Sequence, residues 1–553
     1  MKNKTETFCQ NDKQQINQLF SINSKKKMKN LFLTGLLGLG VFCSCSNEDD
    51  PANYGNQQNE GTAYTQIMIN IASTSATRTN TAGNTGGSAY GEDAEYTIDN
   101  IRVVFADPTT NIAKYIYDPD MKDPTNASDD DKVIRVTKPF LVEAGEYNVY
   151  VLANYAANQS YLSPIIANST DMKQAFTITN AAGLATSGQF FMTNSEVDTQ
   201  TPSRQPTSTG KEVDDAGQEV SSGQTVNLLA INIERVVSKV TFNNDDNNVS
   251  FKVKSGEDII ANATLEGVSL INLNKKMYLV KEKDNSVNPQ PTPWDGYFYV
   301  KDPNYDTTLT GASDETTWLS NNFSQSRATS FTAPNAAKLY CPENTMTATA
   351  QQNGQTTGVV YKVKYTPDAK KGFSVLDKDG TDTYSQIYAK LLAGPSYDED
   401  ITEDMFTTAV SEDKNFYEYN GFIFKTKNAA ILYYTIDKAT SKTTDDSNIG
   451  TINGAFTTNK TTVPDEVHTY TDGYCYYTAW IKHNPSGSHM ESGKFGTVRN
   501  HWYELEVTGI NALGHYEPTY KDPTDPDEEA KANIQVEAKI KKWVLVKQEV
   551  TLE

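Results

Sequence analysis

A chain of 553 residues with a net charge of −21 has room for two or more domains once export segments are set aside. Residues 1–78 hold eight Lys/Arg against six Asp/Glu, which leaves the remainder at −23. That balance provides no basic footprint for a nucleic acid and reads as a solvated, self-repelling surface. Thr, Asn, Asp, Ser and Tyr outweigh the usual helix formers, and the 31 Tyr and 21 Phe fall largely in short alternating runs, the habit of strands.

The first pattern is an export segment. Residues 1–27 form a leader without structural periodicity, and Met28 is a candidate start. Lys25, Lys26, Lys27 and Lys29 precede an apolar run from Leu31 to Phe42, too short to span a bilayer. The run ends at Val41-Phe42-Cys43-Ser44-Cys45. Cys45, with the small Ser44 before it, fits a bacterial lipoprotein cleavage box, and Ser46-Asn47-Glu48-Asp49-Asp50 resembles an acidic sorting signal for the outer-membrane surface. An ordinary secretory peptide is the alternative. Residues 49–62 read as a polar tether.

Ile67, Ile69 and Ile71 alternate, which predicts a strand with one apolar face. A small-residue loop carrying Arg78 follows, and residues 79–91 are rich in Gly, Asn and Thr and read as flexible. Further strands are expected around Ile101–Phe105, Val133–Val136, Tyr147–Val151 and Phe190–Met192. One short helix is expected within Ala167–Ala185, and a long polar loop over Asn194–Gln224. Leu229, Ile231 and Ile233 alternate into Glu234–Val240, where a domain boundary is placed at 235/236. Beyond it, strands are expected at Tyr361–Tyr365, Phe422–Phe424 after the Asn420-Gly421 turn, Tyr474–Ile481 and Trp502–Val507, with a short helix at Tyr384–Leu392. Many short strands without strand–helix alternation point to β-sandwich domains.

The C-terminus carries an acidic, Pro-rich stretch, Asp522–Glu529, which reads as a spacer unable to join a sheet interior. Ile534, Val536, Ala538 and Ile540 then alternate; Val544, Val546, Val550 and Leu552 keep the same parity, and Trp543 lies on the other face. Periodicity alone favours the docking of these strands in the chain's own domain.

Chemistry-bearing patterns are few. Cys341 and Cys475 read as small buried residues in strands, with a disulfide between them open. His468, His483, His489, His501 and His515 match no zinc pattern, and His483 and His489 read as a solvated loop. Asp377–Asp382 departs from a calcium loop in its glycine position and lacks the closing acid, so it reads as a turn. No nucleophile elbow or phosphate loop follows the signal. No enzyme activity, metal or cofactor is expected.

The segment Val498-Arg499-Asn500-His501-Trp502-Tyr503-Glu504-Leu505 through Gly514, together with Val536–Leu552, resembles the type V fimbrilins, specifically the major subunit of the short fimbria. Lys542 stands where that family usually has Pro before its Trp. The resemblance implies two transthyretin-like β-sandwich domains, with short helices, in an all-β fold. It divides the chain into a signal (1–44), a lipidated propeptide with a removable first strand (45–78), two domains (79–235 and 236–521) and a linker with donor strands (522–553). It further implies lipidation at Cys45, cleavage between Arg78 and Thr79 by an Arg-specific protease, and departure of the strand of Ile67, Ile69 and Ile71. A neighbouring copy would then insert its donor strand: Ile534, Val536, Ala538, Ile540, Trp543, Val544, Val546, Val550 and Leu552. The expected partners are further copies of the chain, anchor and tip subunits, and the outer membrane through the precursor's lipid. The mature protein is expected in an adhesive, biofilm-supporting surface fimbria. The rival readings are a monomeric glycan-binding surface lipoprotein and an anchor or tip subunit of the same filament.

Overall fold

The computed structural model of the chain describes residues 62–71, 85–121, 134–197, 199–206, 208–213, 219–244, 247–284, 299–309, 314–406, 414–485, 487–520, 522–528 and 533–544. The strands that carry the argument are, in the first half, β1 Thr62–Ile71, β2 Thr85–Tyr90, β3 Ile101–Ala106, β4 Ala113–Tyr117, β5 Ile134–Val136, β6 Phe140–Glu143, β7 Tyr147–Ala153, β8 Met192–Asn194, β9 Ser208–Val213 and β10 Glu219–Arg235. In the second half they are β11 Val237–Phe242, β12 Ser250–Ser255, β13 Asp258–Ile271, β14 Lys338–Pro342, β15 Gly358–Pro367, β16 Tyr474–Trp480, β17 His501–Ile510 and β18 Ile534–Val544.

Alternating apolar residues put one face of each strand inward, and three main sheets result. The first has the order β4-β3-β7-β8-β10-β1-β5, with β6 also on β1 and β9 on β10. The second runs β2-β18-β17-β11-β14, the third β12-β13-β15-β16. One apolar core, from Ile67 and Phe105 through Val240 and Tyr361 to Ile540, joins all three. Strands dominate and helices are few and short, as the composition predicts.

Helix α1 Thr383–Ala393 lies where one was expected. Others were not foreseen, among them α2 Lys427–Lys438 and α3 Asp446–Thr461. Asp382, Thr426 and Asp445 cap the three by accepting the N–H of Ser385, Ala429 and Asn448. Their apolar faces, among them Ile387, Leu391, Ile431, Leu432, Ile452 and Phe456, enclose a second core. The Asp377–Asp382 stretch thus ends in a helix cap. At Asn420-Gly421 both residues have positive φ, 49° and 82°, the signature of a tight hairpin turn.

Several expectations are corrected. No α-helix forms over residues 167–185, which hold a two-residue strand, Phe176–Thr177, and a four-residue 3-10 turn, Ala182–Ala185. The stretch read as a polar loop over 194–224 contains β9 and the first part of β10, paired antiparallel with a bulge between Thr209 and Lys211. The backbone from Thr85 to Tyr90 is a strand paired to β18, within the stretch read as flexible. His483 is fully buried beside Tyr503, 2.8 Å from Nδ1 to the phenol oxygen, because the loop that carries it folds inward. Burial pushes its imidazole well below the ordinary range. Cys341 and Cys475 are free and buried.

Candidate functional site: the seat of the first strand

A strand at the start of a chain can be removed without cutting the fold elsewhere, so what surrounds β1 matters. Residues Thr65–Ile71 run parallel to Asn227–Ile233 of β10. On the other side Met68–Asn70 pair antiparallel with β5, and Thr62–Thr65 with β6. Thr137 closes the gap between those two: its N–H donates to the Ile67 carbonyl (3.0 Å) and its hydroxyl accepts the Ile67 N–H (3.1 Å). Both backbone edges of β1 are therefore engaged. Ala63, Thr65, Ile67 and Ile69 are all 0% exposed on one face.

The opposite face carries Gln66, also 0% exposed because β9 passes over it. Its amide donates to the carbonyls of Thr137 (2.9 Å) and Lys211 (2.8 Å), and its oxygen accepts the Lys211 N–H (2.8 Å). The Asn227 amide donates to the Tyr64 carbonyl (3.0 Å). Taking β1 away would leave a slot with two unpaired walls, a row of apolar holes and an orphaned set of peptide groups.

The wall formed by β10 is pinned where it meets β11. Arg235 is fully buried; its Nε donates to the Glu95 carbonyl (2.9 Å) and Nη1 to Asn500 (3.0 Å). Lys239 forms a buried ion pair with Glu95 (2.7 Å), and the Tyr340 hydroxyl donates to the same carboxylate (2.6 Å). Burial works against the Glu95 charge, but the bonds from Lys239 and Tyr340 outweigh it and hold the carboxyl below its ordinary range. A second pair, Arg499 with Glu343, is bidentate (3.0 and 3.2 Å). Such pairs are costly to break singly. The sequence offered no sign of this network beyond charged residues inside apolar runs.

The C-terminal strand is docked in the same chain. β18 pairs antiparallel with β17 from His501↔Lys542 to Ile510↔Ile534, and parallel with β2 on its other side. Ile534 and Ile540 are buried, whereas Val536 and Ala538 are only partly so. They border a cleft of about 1220 Å³ shared with Tyr365, Tyr477 and Leu505. Before β18, residues 522–528 are strapped down rather than free. The carbonyls of Pro523 and Asp525 accept the N–H groups of Gly354 and Asn353, and Glu528 accepts Met490 N–H and pairs with Lys494. Asp527 is buried against the Thr356 hydroxyl, and burial pushes its carboxyl well up. The acidic spacer of the sequence reading is thus held against the fold by these bonds.

Ile67 and Ile69 thus lie in the seat with their side chains. Ile71, Trp543 and Val544 are placed by backbone in β1 and β18. Cys45, Arg78, Thr79, Val546, Val550 and Leu552 lie outside the described residues. Among the described residues there is no group of three or more His, Cys, Asp or Glu that could hold a metal, and no helix long and apolar enough to cross a membrane.

Two family models match the chain. "Major fimbrial subunit protein (FimA)" covers residues 65–229, and "Major fimbrial subunit protein type IV, Fimbrillin, C-terminal" covers 468–549. The first spans β1 through most of β10; the second contains β16, β17 and β18. No curated protein matches. Similar solved structures include a candidate cell adhesion protein from Parabacteroides distasonis ATCC 8503, at 12% identity, covering 87% of this chain and 100% of that one, TM-score 0.38. A fimbrilin from Porphyromonas gingivalis W83 shows 13% identity, 88% and 99% coverage and TM-score 0.34. The tip fimbrial protein Mfa3 from Porphyromonas gingivalis shows 12% identity, 87% and 100% coverage and TM-score 0.28.

Proposed function

We propose that this chain, a fimbrial subunit of the fimbrillin family by the matches at both of its ends, is the shaft subunit of a short surface fimbria and polymerises by strand exchange. It is exported as a lipoprotein through Cys45 and travels as a precursor with β1 in its seat. An Arg-specific protease cuts between Arg78 and Thr79, and the lipidated segment leaves with β1. The open slot takes the C-terminal ribbon of the next copy, with Ile534, Val536, Ala538 and Ile540 at its start. Because the face that gives is not the face that receives, the contact does not close on itself and builds a filament.

The observation that carries this reading is the place of β1. It is the first strand among the described residues, yet it lies inside its sheet with neighbours on both edges and five fully buried side chains, those of Ala63, Thr65, Gln66, Ile67 and Ile69. An N-terminal strand of an ordinary monomer is under no pressure to be both detachable and central. Refilling the slot recovers about 1.5–3 kcal/mol for each large apolar side chain, less the cost of ordering the donor.

Arg78→Ala tests the reading: the variant is expected to stay a lipidated monomer after protease treatment, where the parent forms SDS-resistant ladders. Normal fibres from that variant would refute the cleavage assignment. An anchor subunit would escape the cut, and a glycan-binding lipoprotein would form no ladder at all.

A further inference from the structure

We propose that the vacated slot reads a carboxamide and thereby fixes register: Asn533–Ala538 of a second copy takes the place of Gln66–Ile71, with Asn533 in the Gln66 position. This rests on the exchange reading above.

The slot itself supplies the reason. Most of what β1 offers its surroundings is backbone or apolar surface that any alternating strand could replace. Thr65 spends its hydroxyl within the strand, on the Ala63 carbonyl (3.2 Å). Gln66 differs, because its side chain both gives and accepts hydrogen bonds, reaching two carbonyls and one N–H on two other segments. A side chain that only accepts, or an apolar one, would leave the carbonyls of Thr137 and Lys211 buried without that partner.

The chain contains a second run with the same profile. β1 reads Ala63-Tyr64-Thr65-Gln66-Ile67-Met68-Ile69-Asn70-Ile71, and residues 530–538 read Ala-Lys-Ala-Asn-Ile-Gln-Val-Glu-Ala. In this alignment Ile534 meets the Ile67 hole and Val536 the Ile69 hole. Ala532 and Ala530 follow in sequence at the tight Thr65 and Ala63 positions. Gln535 and Glu537 fall where Met68 and Asn70 stand; both are exposed in their present sheet. Asn533 is shorter than Gln by one methylene but keeps both a donor and an acceptor.

Other registers fit worse. Setting Gln535 on Gln66 forces Ile534 into the small Thr65 site and puts Ala538 in the Ile69 hole, overpacking one site and emptying the other. Setting Glu549 there aims a carboxylate at two carbonyl oxygens.

The test uses the full-length protein treated with an Arg-specific protease. Met68 is paired with Ala230, which is exposed, and the native Cys341 and Cys475 are buried. Ala230→Cys is combined in turn with Gln535→Cys, Glu537→Cys and Thr551→Cys, the residues that would face it in the three registers. Disulfide-linked ladders from the Gln535→Cys pair alone are expected. Ladders from either other pair, or polymers that none of the pairs crosslinks, overturn the register and leave strand exchange standing. Absence of polymer in the parent as well as in the variants overturns strand exchange itself. As a second readout, Asn533→Gln is expected to polymerise like the parent and Asn533→Leu about tenfold more slowly; equal rates for the two overturn the carboxamide requirement.

Discussion

β1 and β18 are both alternating apolar strands, and both lie between neighbours in a sheet, yet they are held differently. In β1, Ala63, Thr65, Ile67 and Ile69 are sealed completely, and Gln66 ties the outer face to β9 and Thr137. In β18, among the described side chains, Ile534 and Ile540 are buried, while Val536 and Ala538 front an open cleft. One place is a tight seat; the other is a looser berth. On the exchange reading proposed above, filling the seat would gain apolar burial and emptying the berth would cost the ladders of β18 with β17 and β2. On the same reading, β1 covers the seat until it is cut away, which would keep a precursor from assembling early.

The comparison can be broken most severely at the berth. Deleting Ile534 to Glu553 is expected to abolish ladders while the remaining chain still folds. Size-exclusion chromatography and circular dichroism measure this, and an unfolded product would mean that β18 is essential to its own sheet instead. A subtler outcome concerns the seat. Ile67→Ala is expected to destabilise the precursor by about 2–5 kcal/mol, seen as a lower thermal midpoint. The fibre made from the same variant is expected to be unchanged, because the altered strand has been cut away. Equal loss in both states would place β1 in the mature polymer.

The smallest effect is expected at the strap. Burial raises the Asp527 carboxyl well above its ordinary value. A raised acid favours the folded state below its unfolded pKa and loses that advantage as pH rises toward the folded value. The strap should therefore hold best in acid and loosen on going to neutral pH. Asp527→Asn removes that titration, so its thermal midpoint should fall less than the parent's as pH rises from about 4 to 7. Parallel melting curves for the two proteins would show that Asp527 contributes nothing to this dependence.

Much of the architecture was legible in the chain itself, for a simple reason. Strands at β1, β3, β7, β16 and β17 announce themselves through period-two alternation, which is a local property. Helices α2 and α3 were missed because the aromatic and Thr-rich stretches that form them resemble strand sequence, and their caps, Thr426 and Asp445, look like loop residues until a helix follows. The hairpin of β9 and β10 was hidden by its polar composition, since a ribbon with solvent on one side needs few apolar residues. His483 was misjudged because Pro485 and Gly487 nearby suggest a loop, and a loop can still fold inward.

By itself, then, the order of residues determined that this is a strand-rich, acidic chain with one alternating apolar run at Ile67–Ile71 and another from Ile534 onward. Period, charge and composition act between neighbours along the chain and need no fold to be read. Only the tertiary structure decided that the first ribbon lies inside a sheet rather than at its rim, that Gln66 is enclosed, and that Arg235, Lys239 and Glu95 meet in the interior. Those facts depend on contacts between residues more than a hundred positions apart, such as Gln66 with Lys211 and Arg235 with Glu95. Such contacts form when folding brings distant segments together, and the resulting burial gives their hydrogen bonds and charges their weight.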